Sequence, residues 1–240
     1  MNASVGILII GSLYWDDDTT RETWRQKRLD LDKRTYVAAP IRYGRRSVKR
    51  GCSYTMVFSE LLGRDATHLG TAIVAPCKRP ASSIEDVIAE AKWLWAAEMK
   101  CAKPTEAISA KWGCVAMTTN PNREFPKELL QGWNTTVSKK TPYGRLKHAC
   151  DEAPIVNADG ILNIAWPSTL DGNVLDLDIL LATATNPTIS VDGQYPTDED
   201  IAYAWKTENG RCYVNYFWCN RKHNIKTFQD VDIQRHLCGK

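Results

Sequence analysis

Apolar runs in this chain are short, and each is closed by a turn signal, which limits what the chain can fold into. The first, "VGILIIGSL" from Val5 to Leu13, meets Gly-Ser and passes at once to Tyr14, Trp15 and three aspartates. So short a run, rich in isoleucine, predicts a buried strand rather than a helix. "TYVAAPIRY" and "CSYTMVFS" predict two strands of a hairpin-like unit around a Gly- and Arg-rich connection. In the second, Tyr54, Met56 and Phe58 alternate with Ser53, Thr55 and Val57. "THLGTAIVAP", "AKWGCVAMTTNP", "GILNIAWP", "VLDLDILLATATNP" and "RCYVNYFWCN" read as further strands. Helical signals are fewer. Ser82 and Glu85 form a capping-box pattern ahead of a helix from about Ile84 to Lys100. Thr197 caps a second helix through about Trp205, with Asp198, Glu199 and Asp200 at its positive end. Residues 19–33 are charged and fit a short surface helix or an irregular segment, and residues 122–153 read as polar surface structure with a short helix. Many short strands with few helices predict an α+β fold rather than a doubly wound α/β sheet. The first turn also lacks the G-x-G-x-x-G pattern of a dinucleotide site. With 240 residues and no long linker or repeat, a single domain over 1–240 is expected.

Composition narrows the partners. The 31 Lys and Arg against 28 Asp and Glu leave a net charge of +3, too mild to make nucleic acid the expected partner. Val5–Leu13 falls far short of the roughly 20 residues of a spanning helix. It has neither a cationic segment ahead of it nor a small-residue cleavage site behind, so no membrane partner and no secretory signal are expected. The eight cysteines are dispersed and contain no Cys-x-x-Cys, which predicts free thiols in a reducing cytoplasm. Cys212, Cys219, His223, His236 and Cys238 match no standard zinc spacing, so no metal and no cofactor are expected.

One residue of the Ile84 helix stands out. On a wheel of about 100° per residue, Ile84, Val87, Ile88, Ala91, Leu94 and Trp95 share one face. Glu85, Asp86, Glu90 and Lys92 share the other, but Glu98 points between Val87 and Ala91, inside the apolar stripe. A carboxylate placed there is costly unless it is paired or opens on a cavity. Burial would raise its affinity for a proton, which suits a general acid or base. The plainer reading puts Glu98 at a fraying helix end, reaching solvent or paired with an arginine.

The order of "GILIIGSLYWD", an Arg/Gly hairpin, a strand with "LGTAIV", and a helix carrying an acid before the next strand resembles the γ-glutamyl cyclotransferase-like superfamily. "GSLYW" is similar to the Gly-Ser-Leu-x-Trp segment of its glutathione-degrading, ChaC-type branch. The resemblance covers about residues 5–118 and implies a small mixed β-barrel with helices packed outside, with 119–240 as an extension. It implies release of 5-oxoproline from a γ-glutamyl compound, by attack of the α-amine on the γ-carbonyl, without metal or cofactor. Glu98 would be the acid/base, with Glu90 and Glu106 as competitors. Gly11, Ser12 and Leu13 would form the substrate loop, with Tyr14, Arg42 and Arg45 beside it.

Other clusters admit simpler uses. Arg42, Arg45, Arg46, Lys49 and Arg50 either form a solvated hairpin tip or clamp an anion, and a non-catalytic protein binding an anionic ligand or nucleic acid there is the alternative function. Asp16, Asp17 and Asp18 read as a solvated turn before they read as a Mg²⁺ site. Ser12 lacks the G-x-S-x-G context of a hydrolase nucleophile. The nine tryptophans are expected as core and pocket walls.

Overall fold

A computed structural model describes residues 2–47, 53–138, 140–207 and 211–239, with backbone alone at 53 and 211–214. The fold is mixed α+β. Strands β1 (Val5–Ile9), β2 (Thr35–Ala39), β5 (Gly70–Pro76), β6 (Ser109–Ala110), β7 (Gly113–Thr119) and β8 (Ile179–Thr185) form one sheet in the order β2-β5-β1-β8-β7-β6. Strands β3 (Ile41–Ser47) and β4 (Ser53–Phe58) form a separate antiparallel ribbon. β1 and β8 run parallel, and the other pairs in the sheet are antiparallel. Among the described residues the strands close into no barrel, which corrects the expected barrel to an open sheet plus a ribbon.

Six helices complete the described fold: α1 (Thr19–Arg28), α2 (Ile84–Met99), α3 (Lys127–Val137), α4 (Asp198–Thr207), α5 (Arg211–Lys222) and α6 (Asp230–Cys238). α2 packs on β7 and β8, while the ribbon approaches β5 and β8. All five residues of β1 are buried, as expected of a strand with partners on both edges. Among the described residues, no helix is long and apolar enough to cross a membrane.

Several sequence expectations shift. The segment "TYVAAPIRY" divides at Pro40, where the missing N–H ends one ladder and lets the chain enter another. The α2 capping box falls on Ser83 and Asp86, one residue later than the expected pair. Thr197 does cap α4, its hydroxyl accepting the Asp200 N–H at 3.1 Å. "GILNIAWP" forms only isolated bridges. "RCYVNYFWCN" is helical, not extended. The supposed extension also contributes β8, which lies between β1 and β7 at the middle of the sheet.

α1 is not a surface helix. Arg21, Trp24 and Arg25 are buried, and with Arg28 they follow the i, i+3, i+4, i+7 spacing of one helix face. Its inward stripe is mostly arginine, so apolar periodicity could not reveal it.

Candidate functional site

The parallel strands β1 and β8 end on the same side, and a cavity of about 720 Å³ opens there. Gly11, Ser12 and Leu13 line it after β1, and Thr185 and Asn186 line it at the end of β8. Glu98 and Lys100 enter from the end of α2, Arg45 and Arg46 from β3, and Trp112 from just before β7. Carboxyl ends of parallel strands are a recurrent place for ligands, because the chain leaves the sheet there and opens a crevice.

The turn after β1 is a single helix-like coil. The Tyr14 N–H donates to the Gly11 carbonyl at 3.0 Å, and the Asp16 N–H donates to the Ser12 carbonyl at 2.8 Å. Bonding within the turn begins at Tyr14. Gly11 is required by its neighbour. A Cβ there would lie 2.4 Å from the Tyr216 hydroxyl, which reaches over from α5.

Two residues of α5, and His223 just after it, hold this segment. Tyr216 lies under Gly11, the Asn220 Oδ1 accepts the Trp15 Nε1–H at 2.7 Å, and His223 meets Tyr14 edge-on at 5.3 Å. Their spacing of four and then three residues is helical, and it is the signal that identifies α5 against its strand-like composition.

Arg21 joins the turn to α2. It is 1% exposed. Its Nη1 donates to the Ser12 Oγ at 3.0 Å and to the Asp16 Oδ2 at 2.7 Å, and its Nε donates to the Ala97 carbonyl at 3.1 Å. Its Nη2 stands 3.8 Å from the Glu98 Oε2. One planar guanidinium therefore spaces the Ser12 hydroxyl from the Glu98 carboxylate. Arg25 adds bonds to the Leu13 and Asp16 carbonyls, both at 2.8 Å.

Two of the three aspartates serve this scaffold, and Asp17 is exposed. Asp18 caps α1 through the Thr20 and Arg21 amides. Asp16 pairs with Arg21 and, at 3.3 Å, with Lys100. Burial works against the charge on Asp16, yet the Asp18 N–H, Arg21 and Lys100 together hold its carboxyl below the usual range. Among the described residues, no three His, Cys, Asp or Glu side chains assemble as a metal-binding group, and the Cys212 side chain lies outside those described.

Glu98 shares the cavity with Gly11, Ser12, Leu13 and Arg45, and its side chain is 19% exposed. Tyr14 and Arg42 do not line it. Tyr14 packs on His223, and the Arg42 guanidinium lies 4.1 Å from the Tyr195 ring and 5.7 Å from the Phe228 ring. Lys49 and Arg50 fall outside the described residues. Glu106 is exposed and paired with Lys92 at 2.8 Å. Glu90, placed by the wheel on the polar face, is buried instead, because α1 docks over that flank and brings Arg28 against it. Burial raises the Glu90 proton affinity above the ordinary range, and Arg28 opposes that. Arg21, Lys100, Lys147 and Tyr216 were not expected in the site. Of these, Arg21 was legible in the arginine spacing on α1.

No family model matches the chain, and no curated protein or solved structure matches it either.

Proposed function

We propose that this protein is a γ-glutamyl cyclotransferase-like enzyme that releases 5-oxoproline from a γ-glutamyl compound. The observation that supports this reading is the meeting of Glu98 with the Gly11–Leu13 turn in one cavity of about 720 Å³, a volume suited to a small molecule. In this reading the turn holds the glutamyl head by its amides, where Gly11 lets a carboxylate come close. Glu98 takes a proton from the substrate ammonium. The freed α-amine attacks the γ-carbonyl, a C–N bond forms, and the five-membered ring closes. The bond to the departing amine then breaks as Glu98 gives its proton to that amine, and Glu98 takes the second proton from the ring nitrogen, leaving a neutral lactam. Arg21 keeps the carboxylate and the turn in register, as a positioning residue.

A second reading is favoured by the charge of the same cavity. Arg45, Arg46, Lys100 and Lys147 line it with Glu98 as the one carboxylate among the lining residues, so the protein would bind an anionic ligand without reacting on it. The two readings separate in one assay. The purified protein is incubated with glutathione, γ-glutamyl dipeptides and γ-glutamyl-amines, and 5-oxoproline is measured by mass spectrometry. Product from any of them supports the enzyme. Saturable, salt-sensitive binding with no product from the whole set supports the binding protein.

A further inference from the structure

A second, smaller pocket of about 210 Å³ lies between α1 and the end of α2, and it shares no lining residue with the larger cavity. The end of α2 divides the two spaces. Glu98, Met99 and Lys100 line the large cavity, whereas Ala97 before them and Cys101 and Ala102 after them line the small pocket. From α1, Thr20, Thr23 and Lys27 enter it at spacings of three and then four residues. That spacing is one flank of a helix, here the flank beside the buried arginine stripe.

Two tryptophans give this pocket its apolar lining, Trp24 buried on α1 and Trp93 half-buried on α2. Its polar groups are unspent. The Thr20 and Thr23 hydroxyls take part in no hydrogen bond among the described residues, and the buried Trp24 Nε1–H has no acceptor among them. Donors left over in this way call for an acceptor from outside the chain. The charges have one sign. Among the described residues, no carboxylate lines the pocket, and its two charged side chains are Lys27 and Arg28. Arg28 is engaged by Glu90 and lies 5.9 Å from the Trp93 ring. Lys27 is exposed and forms no ion pair among the described residues.

We propose that this pocket binds a small aromatic carboxylate of one or two rings. An apolar cavity of about 150 Å³ is enough to hold benzene, so the space suits a molecule of that order. The ring lies against the two tryptophans, where aromatic faces and edges attract. The carboxylate sits at the rim and accepts from the threonine hydroxyls and the Lys27 ammonium. A cation is repelled there, and an anion without a ring gains nothing from the apolar walls. Binding in this pocket needs no turnover and is independent of the cyclotransferase reading.

The test is a calorimetric titration of the full chain with benzoate and with indole-3-carboxylate, each against its neutral amide, and with acetate as charge without a ring. At least one acid should bind saturably, about threefold to tenfold more tightly than its amide, the gain from one exposed charged contact. Acetate should show no saturable binding over the same range. Lys27→Gln should bring acid and amide to equal affinity, and Thr23→Val should weaken the acid, with circular dichroism to verify both folds. The place of binding is read at Cys101, which lines the pocket. Its alkylation, followed by mass spectrometry of the peptide that carries it, should slow at saturating acid. Alkylation of Cys150, which is exposed and does not line the pocket, should not. No saturable binding of either acid overturns the site, and so does equal affinity for acid and amide in the wild type. Binding that leaves Cys101 unprotected, or a preference for the acid that survives Lys27→Gln, also overturns it and places the acid elsewhere on the protein.

Discussion

Gly11 and Tyr216 meet at the closest point of the candidate site, and their contact is testable as a pair. A methyl group at Gly11 would fall 2.4 Å from the Tyr216 hydroxyl. Gly11→Ala should therefore cost about 1–3 kcal/mol through overpacking. In a Tyr216→Phe background the obstructing oxygen is gone, and the same substitution should cost less. Chemical denaturation of the four proteins gives the coupling, expected at about 1 kcal/mol. Strict additivity would show that the two residues do not press on one another. The glycine was readable as a site residue from its place after an apolar run. Its partner was not, because Tyr216 lies 205 positions further on, and no local pattern joins them.

At the scale of elements, the packing of α1 on α2 depends on charge. Arg28 Nε donates to the Glu90 Oε2 at 3.2 Å, and the same pair makes a second, shorter contact. Arg28→Met would leave a buried carboxylate unpaired, at a cost of about 3–5 kcal/mol near neutral pH. The pH dependence has a definite sign. Burial raises the Glu90 proton affinity above its ordinary value of 4.5 in the folded state. The folded protein then holds that proton more tightly than the unfolded chain. The contribution of Glu90 to stability is complete below the unfolded value and is lost as pH rises through the folded one. Removing Arg28 raises the folded value further. The deficit of Arg28→Met against wild type should grow from about pH 5 to pH 8, and adding Glu90→Gln should flatten it. Thermal midpoints across that range decide the matter, and a deficit largest at acid pH would contradict it. α2 was readable in length because its apolar spacing and its cap agree. Glu90 was misplaced because a wheel scores a helix in isolation, whereas α1 covers a second flank with an arginine stripe. α5 was read as a strand because Tyr213, Val214, Tyr216, Phe217 and Trp218 are strand-favouring residues. Tertiary packing of Tyr216, Asn220 and His223 on the first turn goes with the helix instead.

The whole molecule rests on a pairing that crosses the chain. β1 is bonded to β5, near it in sequence, and to β8, which lies far beyond. A fragment of residues 1–118 would expose the β8-facing edges of β1 and β7 at once. It should show no cooperative thermal transition by circular dichroism, where the full chain shows one. A cooperative fragment would restore the division into core and extension. Local strands were legible because each short run carries its own turn signals. The insertion of β8 was not, since parallel pairing leaves no mark of register or partner in the sequence. The same insertion sets residues 186–188 beside the cavity, so 7 of its 23 lining residues lie where the resemblance had no counterpart. The direct measurement is the rate of 5-oxoproline release by wild type and by Glu98→Gln, on whichever γ-glutamyl compound reacts fastest, with circular dichroism to verify the fold. Glu98→Gln keeps the volume and loses the proton carrier, so the rate should drop by about 10² to 10⁴ while the spectrum and melting curve stay close to wild type. An undiminished rate in a folded Glu98→Gln protein, or no 5-oxoproline from the wild type with any γ-glutamyl compound, would contradict the assignment.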